Sequence, residues 1–560
     1  MVSQVLSDVT SLREKHNATI ERAILANKER DFYAHYPEHP SPKIYGESAQ
    51  MDGEIAYKAH LGKPYPLLQA ADSWLVPNEE SPYTREKLGI SYPVFDNIEE
   101  YMSRAYKAWP KWKKTPVLDK AAILVEMLDR ISLRFFELGF ATKHTTGQGF
   151  VMAFQASGPH ALDRALETIA MGVEEVTRYP EFVEWVKPMG KTEAHLSKNF
   201  RVVPKGIGLS IGCSTFPVWN TIPAVFANLI TGNTSIVKAH PSAVYPMALV
   251  VEEMQKLLVE YNYDPHLVQL AVDTKEKPVA RLMAEDDDSA LIDFTGSTTF
   301  GEIIEKIPNK TIFTEKAGVN SVIIDSADDL QSILDNLVFS LCLYSGQMCT
   351  APQNIFIPHS VKGKDRNYSY QEVVDLLVKT VQKFVADPQK LGVLGAIQND
   401  CTYNRLTKVE RLGTVLLKSQ ALSHPDYPQI RLATPTVIQI PPDRCDLYEQ
   451  ELFGAIAVII PTESTRHSVS IARSLATTCG AISCLAYTTD ERMIEYISDE
   501  MDYTATSVSF NFTGNFWVNQ NAAFSDFHVS GGNPAGNASF TTPEFIRRRF
   551  NIVASRIYRP

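Results

Sequence analysis

The sequence has no long hydrophobic run, no dense cysteine framework and no excess of positive charge. No stretch approaches the roughly 18 consecutive apolar residues that a membrane helix needs, and charged residues interrupt the N-terminus where a secretory signal is apolar. The seven cysteines are odd in number and form no Cys-x-x-Cys pair, which excludes a disulfide scaffold. We therefore expect a reduced, cytoplasmic protein with no metal site and no membrane partner.

The charge balance is acidic, with 54 Lys and Arg against 65 Asp and Glu and a formal net charge of −11. A nucleic-acid binder normally carries the opposite sign, although a local basic pocket for a phosphorylated cofactor remains compatible with this total. The 560 residues are 44% hydrophobic and 21% charged, an ordinary globular composition that excludes disordered, collagen-like and coiled-coil chains. At roughly 100–200 residues per domain, the length allows about three domains.

The pattern of apolar residues divides the chain into three kinds of region. Residues 1–95 form an uneven extension, with a helix predicted over 4–30 and a proline-dense stretch at 36–42. Residues 96–180 have helical spacing that is broken at 146–149. Beyond them, short β-type runs alternate with helices, first over 207–294 and again over 322–486. This alternation predicts an α/β fold with two parallel sheets, each covered by helices on both faces.

Three segments carry candidate chemistry. In Phe294–Gly301, Gly296 allows a sharp turn after a strand, and Ser297 or Thr298 can cap a helix whose N–H groups face an anion. The second segment contains Glu315, and the third contains Cys349 just beyond a helix predicted over 333–343. Each has an ordinary explanation when taken alone: a plain β–α turn, a solvated surface carboxylate and an inert buried thiol.

Taken in order, these segments resemble the aldehyde dehydrogenase superfamily. Its general-base motif resembles the Glu315 segment, and its Gly-Gln-x-Cys nucleophile motif matches Gly346–Cys349. The resemblance implies a Rossmann-like NAD(P)-binding domain, an α/β catalytic domain and a small antiparallel oligomerisation flap. It places the extension at 1–95, the cofactor domain at 96–315 with the flap at 181–203, the catalytic domain at 316–520, and a C-terminal return with an oligomerisation strand at 521–560. We expect the extension to pack across the body or the substrate entrance.

The same resemblance implies a set of cofactor contacts. Lys238 corresponds to a lysine that holds the ribose-phosphate region, and Glu451 with Phe453 to a motif that holds the nicotinamide ribose. The full implied set is Lys238, Pro241, Gly296, Ser297, Gly301, Gly318, Glu451 and Phe453. In NAD-preferring members a glutamate follows the lysine by three residues, whereas this sequence has Pro241 there, so we expect that no fixed anion opposes a 2′-phosphate. Lys238 supplies a positive charge, and His240 can supply a further donor. We therefore predict NADP as the better cofactor with NAD usable, or else that Pro241 only shapes the turn.

The residue types support a mechanism. A thiolate of Cys349 can form a thiohemiacetal with an aldehyde, and loss of hydride leaves a thioester that Glu315 can hydrolyse by activating water. The superfamily usually supplies an asparagine as a second oxyanion donor. Here Thr215 occupies its place, and Asn220, one turn further on, is a candidate substitute.

Longer segments resemble the phenylacetic-acid degradation aldehyde dehydrogenases over nearly the whole chain: 36–46, 144–148, 154–160, 314–320, 343–349 and 523–532. This resemblance implies oxidation of a CoA-linked semialdehyde during aerobic aromatic catabolism. One alternative is a CoA-acylating aldehyde dehydrogenase, which typically lacks the base. Another is a non-catalytic structural protein on the same fold, which would be expected to lose Cys349 or Glu315.

The flap also bears on assembly. In the superfamily it pairs with the C-terminal strand of a neighbouring subunit, and Phe550–Ile557 matches that strand. Because unpaired edge strands favour association, we predict a homodimer or a dimer of dimers, with a self-contained hairpin as the alternative.

Overall fold

The computed structural model describes residues 2–516 and 522–559. The predicted domain boundary at 520 and 521 lies outside the described residues. None of the helices described in these two ranges is both long enough and apolar enough to span a bilayer.

Over residues 2–95 the N-terminal extension contains three helices and two short strands, and it lies on the body of the molecule. Its elements are α1 Val2–Glu29, α2 Pro42–Tyr45, α3 Ala49–Ala59, β1 Ser73–Leu75 and β2 Tyr92–Val94. Polar contacts join it to the helices that follow. The Nε2 atom of His16 lies 2.8 Å from Glu126, Arg30 lies 3.1 Å from Glu167, and the backbone N–H of His35 donates to Asp163 at 3.0 Å. The extension therefore packs across the body.

A layer of five helices follows: α4 Ile98–Trp112, α5 Val117–Ser132, α6 Phe135–Thr146, α7 Phe150–Ser157 and α8 Pro159–Val176. The side-chain oxygen of Asn97 accepts from the Glu100 backbone N–H and starts α4. Gly147 ends α6 in a left-handed conformation, with φ of 93°. The predicted break between helices at 146–149 is thus present, and α7 begins immediately after it.

The first large sheet has five parallel strands in the order β7-β6-β5-β8-β9. The strands are β5 Ile207–Ile211, β6 Thr234–Lys238, β7 Val268–Ala271, β8 Ser289–Thr295 and β9 Thr311–Glu315. The helices are α9 Ile222–Ile230, α10 Tyr245–Glu260, α11 Ala280–Glu285 and α12 Thr298–Glu305. β5 and β6 are buried along their whole length, as expected for parallel strands covered on both faces.

The second large sheet has seven strands in the order β15-β16-β17-β12-β10-β18-β19, parallel except for β15. The strands after β9 are β10 Ser321–Ile324, β11 Ser326–Ala327, β12 Asn354–Pro358, β13 Ser360–Gly363, β14 Asn367–Ser369, β15 Thr414–Leu417, β16 Thr436–Gln439, β17 Ile456–Thr462, β18 Ser483–Tyr487 and β19 Ser507–Phe510. The helices are α13 Leu330–Cys342, α14 Tyr370–Ala386, α15 Leu391–Leu394, α16 Asp400–Lys408, α17 Thr465–Thr478, α18 Glu491–Asp502 and α19 Pro543–Arg547. Together the two sheets form the α/β architecture expected from the sequence.

The flap is a three-stranded antiparallel sheet in the order β20-β4-β3. It comprises β3 Phe182–Met189, β4 Thr192–Pro204 and the C-terminal β20 Phe550–Arg559. The expectation that β4 pairs with the C-terminal strand of a neighbour is wrong for this chain, because its own β20 pairs with β4 over ten residue pairs, from Phe550 to Arg559. The chain returns to complete its own flap, which leaves β3 and β20 as the edges. Pairing within one chain does not test association between chains, so the predicted homodimer or dimer of dimers stays a prediction.

Candidate active site

Cys349 follows α13 through a short 3-10 turn, Leu343–Gly346, whose backbone is unusual. Tyr344 and Ser345 have φ of 53° and 52°, in the left-handed region that costs energy for residues with a side chain. Gly346 continues this turn against the backbone of Gly454, where a Cβ would lie 2.5 Å from the Gly454 carbonyl oxygen. Glycine at 346 therefore lets the nucleophile segment touch the Glu451–Gly454 segment.

Two buried amides hold the loop that carries Cys349. Gln347 donates to the carbonyls of Tyr344 and Ala396 at 3.1 and 3.0 Å and accepts from the Gln398 backbone N–H at 2.8 Å. Asn320 donates to the Cys349 carbonyl at 2.8 Å. These bonds fix the backbone on both sides of the thiol, which accounts for the glutamine of the nucleophile motif.

Glu315 ends β9 and is almost fully buried, with 1% of its surface exposed. The Cys349 thiol donates to its Oε1 at 3.1 Å, and the Asn220 amide donates to its Oε2 at 3.0 Å. Burial, followed by the Glu315 charge, raises the pKa of Cys349 well above its usual value. The thiol therefore needs a proton acceptor to become a nucleophile, and the Glu315 carboxylate is in direct contact with it.

The structure separates the two candidate oxyanion donors. Asn220 is buried and lines the cavity above Cys349. The Thr215 hydroxyl instead points to Cys213 at a long 3.8 Å, the Thr215 carbonyl accepts from Gln148, and Thr215 is not among the cavity-lining residues. Asn220 is thus the member of the pair that the fold brings to the thiol and the carboxylate.

A cavity of about 970 Å³ opens over Cys349. Part of its wall comes from the N-terminal extension, through Arg30, Asp31, Phe32, Tyr33 and Glu38. Aromatic side chains from the body line it as well, among them Phe150, Phe216, Trp219 and Phe339. The expectation that the extension reaches the substrate entrance agrees with this wall.

The five-stranded sheet has a topological switch point beside β5. The strand order reverses beside β5, which leads to β6 and β7 on one side and has β8 and β9 on the other, and such a reversal is where open α/β sheets bind nucleotides. Ser297 caps α12 by accepting from the Phe300 N–H at 3.4 Å, and the Gly296 N–H donates to the Glu315 carbonyl at 3.1 Å. The turn predicted to hold the cofactor therefore lies beside the predicted base.

Close packing explains a second glycine of the predicted set. A Cβ on Gly301 would lie 2.5 Å from the Lys316 side chain, so α12 can approach the loop after β9 only with glycine there. Gly318 lies further along that loop and packs against Ile482. In the structure, Gly318 therefore belongs to the packing of the loop between β9 and β10.

Lys238 is not the free positive charge that sequence reasoning assumed. Its Nζ lies 2.7 Å from Asp273 Oδ1, and both residues are buried. His240 adds no charge, because burial, and then Lys238, lower its pKa to about 3. The expectation that this part of the site carries no fixed anion is wrong, because the Asp273 carboxylate, from the residues after β7, lies beside Lys238. Nothing in the sequence around Lys238 indicates that pairing.

The Glu451 segment approaches the thiol from the second sheet. Burial raises the pKa of Glu451 to about 7, with Arg405 acting in the opposite direction. Arg405 also donates to the Phe453 carbonyl at 2.6 Å. The close approach of Gly346 to Gly454 joins this segment to the loop that carries Cys349. The contact of Glu451 with a cofactor stays a prediction.

Two groups of side chains in the described part of the chain could ligate a metal. Glu315, Cys349 and His528 have donor atoms within 4.8 Å of one another, as do His16, Glu126 and Asp129. The second group already forms ion pairs with Lys15, which lies 2.6 Å from Glu126. The absence of a metal site stays a prediction.

Sequence reasoning assigned no role to two residues of this site, His528 and Asn320. The Nε2 atom of His528 lies 3.0 Å from Glu315 Oε1, and Asn320 anchors the Cys349 loop. Both occur in segments that carry the family resemblance, 523–532 and 314–320. That resemblance was the only available signal, because no spacing rule joins residues 213 positions apart.

The geometry agrees with comparisons to known proteins. Residues 78–544 match the family described as "Aldehyde dehydrogenase family". The chain belongs to this family, and it is accordingly an oxidoreductase that acts on aldehydes. The family and the fold implied by the sequence are thereby confirmed.

Several solved or named relatives are similar to the chain. An NAD-dependent aldehyde dehydrogenase from Burkholderia multivorans is 41% identical, with a TM-score of 0.95 over 98% of this chain and 99% of that one. The 1-pyrroline-5-carboxylate dehydrogenase of Bacillus subtilis is 23% identical over 79% of this chain and 84% of its own. A glyceraldehyde-3-phosphate dehydrogenase from Methanocaldococcus jannaschii, complexed with NADP, shares the fold at 18% identity and a TM-score of 0.66, over 87% and 99% of the two chains.

Proposed function

We propose that the chain oxidises an aldehyde to a carboxylic acid with Cys349 as nucleophile and Glu315 as base. The 3.1 Å contact between the Cys349 thiol and Glu315 Oε1 carries this assignment. Proton transfer to Glu315 produces the thiolate that attacks the aldehyde carbonyl and forms a thiohemiacetal. Asn220, rather than Thr215, is positioned to donate to the oxyanion, since it lines the cavity beside the thiol.

The cleft residues fit a nicotinamide dinucleotide. Ser297 and the N–H groups of α12 can face its phosphates, Lys238 with Asp273 its ribose, and Glu451 its nicotinamide end. When bound, the dinucleotide supplies the hydride acceptor. We propose that residues 96–315 form the cofactor domain and 316–520 the catalytic domain. NADP preference stays a prediction, and the Asp273 carboxylate weakens its basis.

Hydrolysis completes the reaction. Loss of hydride converts the thiohemiacetal into a thioester on Cys349, and water must then attack its carbonyl. Glu315, which has by then released the thiol proton to solvent, takes the proton from that water, and cleavage of the carbon–sulfur bond releases the acid and restores the thiolate. A CoA-acylating enzyme would pass the thioester to CoA instead. The buried carboxylate in contact with the thiol favours hydrolysis.

For the substrate, we propose a semialdehyde of aromatic degradation, linked to CoA. The segment-by-segment resemblance to phenylacetic-acid degradation enzymes supports it, as does the 970 Å³ cavity, whose wall includes a polar and aromatic extension. The competing substrate is 1-pyrroline-5-carboxylate, the compound after which the Bacillus subtilis relative is named; water opens its ring to the aldehyde glutamate semialdehyde. We also propose a homodimer or dimer of dimers that associates through the flap edges β3 and β20.

A turnover assay tests the function. CoA-linked semialdehyde, the same chain length without CoA, and glutamate semialdehyde are each supplied with NAD and with NADP, with and without free CoA. We expect acid as the product whether or not CoA is present, with the highest kcat/KM on the CoA-linked substrate. The Cys349→Ala variant should form no NAD(P)H. Aldehyde oxidation by Cys349→Ala at the parent rate would show that the nucleophile assignment is wrong, and acyl-CoA as product would establish the acylating alternative.

A further inference from the structure

The Glu315 carboxylate has a third neighbour besides the thiol and Asn220. His528, from the irregular segment between the second sheet and β20, is 3% exposed, and its Nε2 lies 3.0 Å from Glu315 Oε1. That oxygen is the one that also accepts from the Cys349 thiol at 3.1 Å. The imidazole and the nucleophile therefore meet at a single carboxylate oxygen.

The ring of His528 is held on two sides. The Trp219 ring lies edge-on at 4.7 Å between centroids, and the Phe540 ring is stacked at 5.6 Å. The Phe540 N–H also donates to the His528 carbonyl at 3.1 Å. A ring clamped in this way cannot follow Glu315 if the carboxylate turns. It acts as a fixed reference for the position of Oε1.

The contacts also determine which ring nitrogen carries the proton. Nδ1 is buried and has no hydrogen-bond partner among residues 2–516 and 522–559, so a proton there would be buried without an acceptor. Nε2 faces a carboxylate oxygen, which accepts. Charged groups near the ring include Glu315 at 3.0 Å and Arg164, which lies 5.7 Å from the Trp219 ring that packs against His528. The tautomer with its proton on Nε2 satisfies this arrangement.

We propose that His528 is a positioning residue that donates from Nε2 to Glu315 and holds Oε1 toward the reacting sulfur. The proposal rests on the base role of Glu315 given above. The Glu315 carboxylate must first take the thiol proton, release it, and later take a proton from water, so its Oε1 must occupy the same position in both steps. The fixed N–H of His528 holds Oε1 in that position. It also favours the ionised carboxylate, which is the form that can act as a base.

Two amide variants make a matched test. Glutamine can place a side-chain N–H close to the position of Nε2, whereas asparagine places it near that of Nδ1 and falls short of Glu315. A charge-assisted hydrogen bond of this kind, worth about 1.5–3 kcal/mol, corresponds to a factor of about 10–150. We expect His528→Asn and His528→Ala to lower kcat by about that factor, with the aldehyde KM changed less than about threefold. We expect His528→Gln to recover most of the lost rate.

The pH profile supplies a readout that simple loss of packing would not move. In His528→Ala, Glu315 loses a donor to its charged form, so the acid limb of kcat should shift to higher pH, and His528→Gln should return it toward the parent. Equal rates and equal acid limbs in the parent and all three variants would overturn the proposal. Equal losses in the Gln and Asn variants would also overturn it, because the effect would then be one of packing.

A pre-steady-state measurement separates this proposal from the proposed function. The parent should show a burst of NAD(P)H that is absent in Cys349→Ala, and the His528 variants should retain a slower burst. If NAD(P)H formation in the first turnover does not depend on Cys349, the function proposed for Cys349 and Glu315 fails. If the burst depends on Cys349 while the His528 variants match the parent, only the role of His528 fails.

Discussion

Replacing Asn220 tests which group stabilises the oxyanion. The Asn220 amide nitrogen carries two hydrogens, and one of them is directed to Glu315 Oε2 at 3.0 Å. The second is free to face the cavity that Asn220 lines. Thr215 provides the matched comparison, since Thr215→Val removes only a hydroxyl whose sole side-chain contact is the 3.8 Å approach to Cys213. The two variants therefore assign the role to one residue or the other.

The expected size follows from the two bonds at stake. Loss of one oxyanion donor lowers kcat about 10²–10³-fold, or about 2.7–4 kcal/mol. Loss of a hydrogen bond to the Glu315 carboxylate costs about 1.5–3 kcal/mol, a factor of about 10–150. Loss of the oxyanion donor slows formation of the tetrahedral adduct and therefore slows the burst. Loss of the hydrogen bond to Glu315 slows the burst further, because removal of the thiol proton becomes slower.

Rapid-mixing kinetics separate these contributions. We expect the burst rate of NAD(P)H formation to fall at least about 100-fold in Asn220→Ala and to stay within about threefold of the parent in Thr215→Val. Unchanged cofactor binding and thermal unfolding would serve as controls for an intact fold. A large loss in Thr215→Val combined with a normal burst in Asn220→Ala would refute the reasoning and return the role to Thr215.

Three further outcomes are expected. Asp273→Asn should raise the ratio of kcat/KM for NADP over NAD, because it removes a carboxylate 2.7 Å from Lys238; an unchanged ratio would remove Asp273 from cofactor selection. Burial raises the pKa of Asp163 from 3.8 to about 8. Between these pH values the folded state holds a proton that the unfolded chain releases, so the free energy of unfolding falls as the pH rises, by about 1 kcal/mol per pH unit. Denaturant unfolding should show that Asp163→Asn abolishes this decline. Phe32→Asp should raise KM about threefold or more for long aldehydes but not for propionaldehyde, because Phe32 lines the cavity and is 66% exposed to solvent.

Local patterns in the sequence were sufficient for the sheets and for the pair of residues proposed to react. β5 and β6 lie within the alternation predicted over 207–294, because parallel strands covered on both faces are continuous apolar runs. Cys349 and Glu315 were predicted because the chemistry restricts the residue types within short segments. Gly346 belongs to the same motif as Cys349, and in the structure a side chain there would meet the Gly454 backbone. In these cases the constraint lies within a few neighbouring residues or recurs in a recognisable motif.

Contacts between distant parts of the chain could not be predicted from such local patterns. The pairing of β20 with its own β4 depends on the path of the C-terminal return, which no local pattern encodes. The Lys238–Asp273 pair joins the ends of neighbouring strands, and sequence reasoning about the charge of the cofactor cleft considered only the turn after Lys238.

His528 illustrates the physical reason for this limit. A buried polar side chain is defined by what it faces, and the ring, the Trp219 edge and the Glu315 carboxylate come from three separate regions of the chain. In sequence, a histidine at this position is equally compatible with an exposed loop. Only the fold excludes solvent from both the imidazole and the carboxylate. That exclusion makes a single N–H at 3.0 Å consequential for the base, because hydrogen bonds to charge strengthen where water cannot replace them.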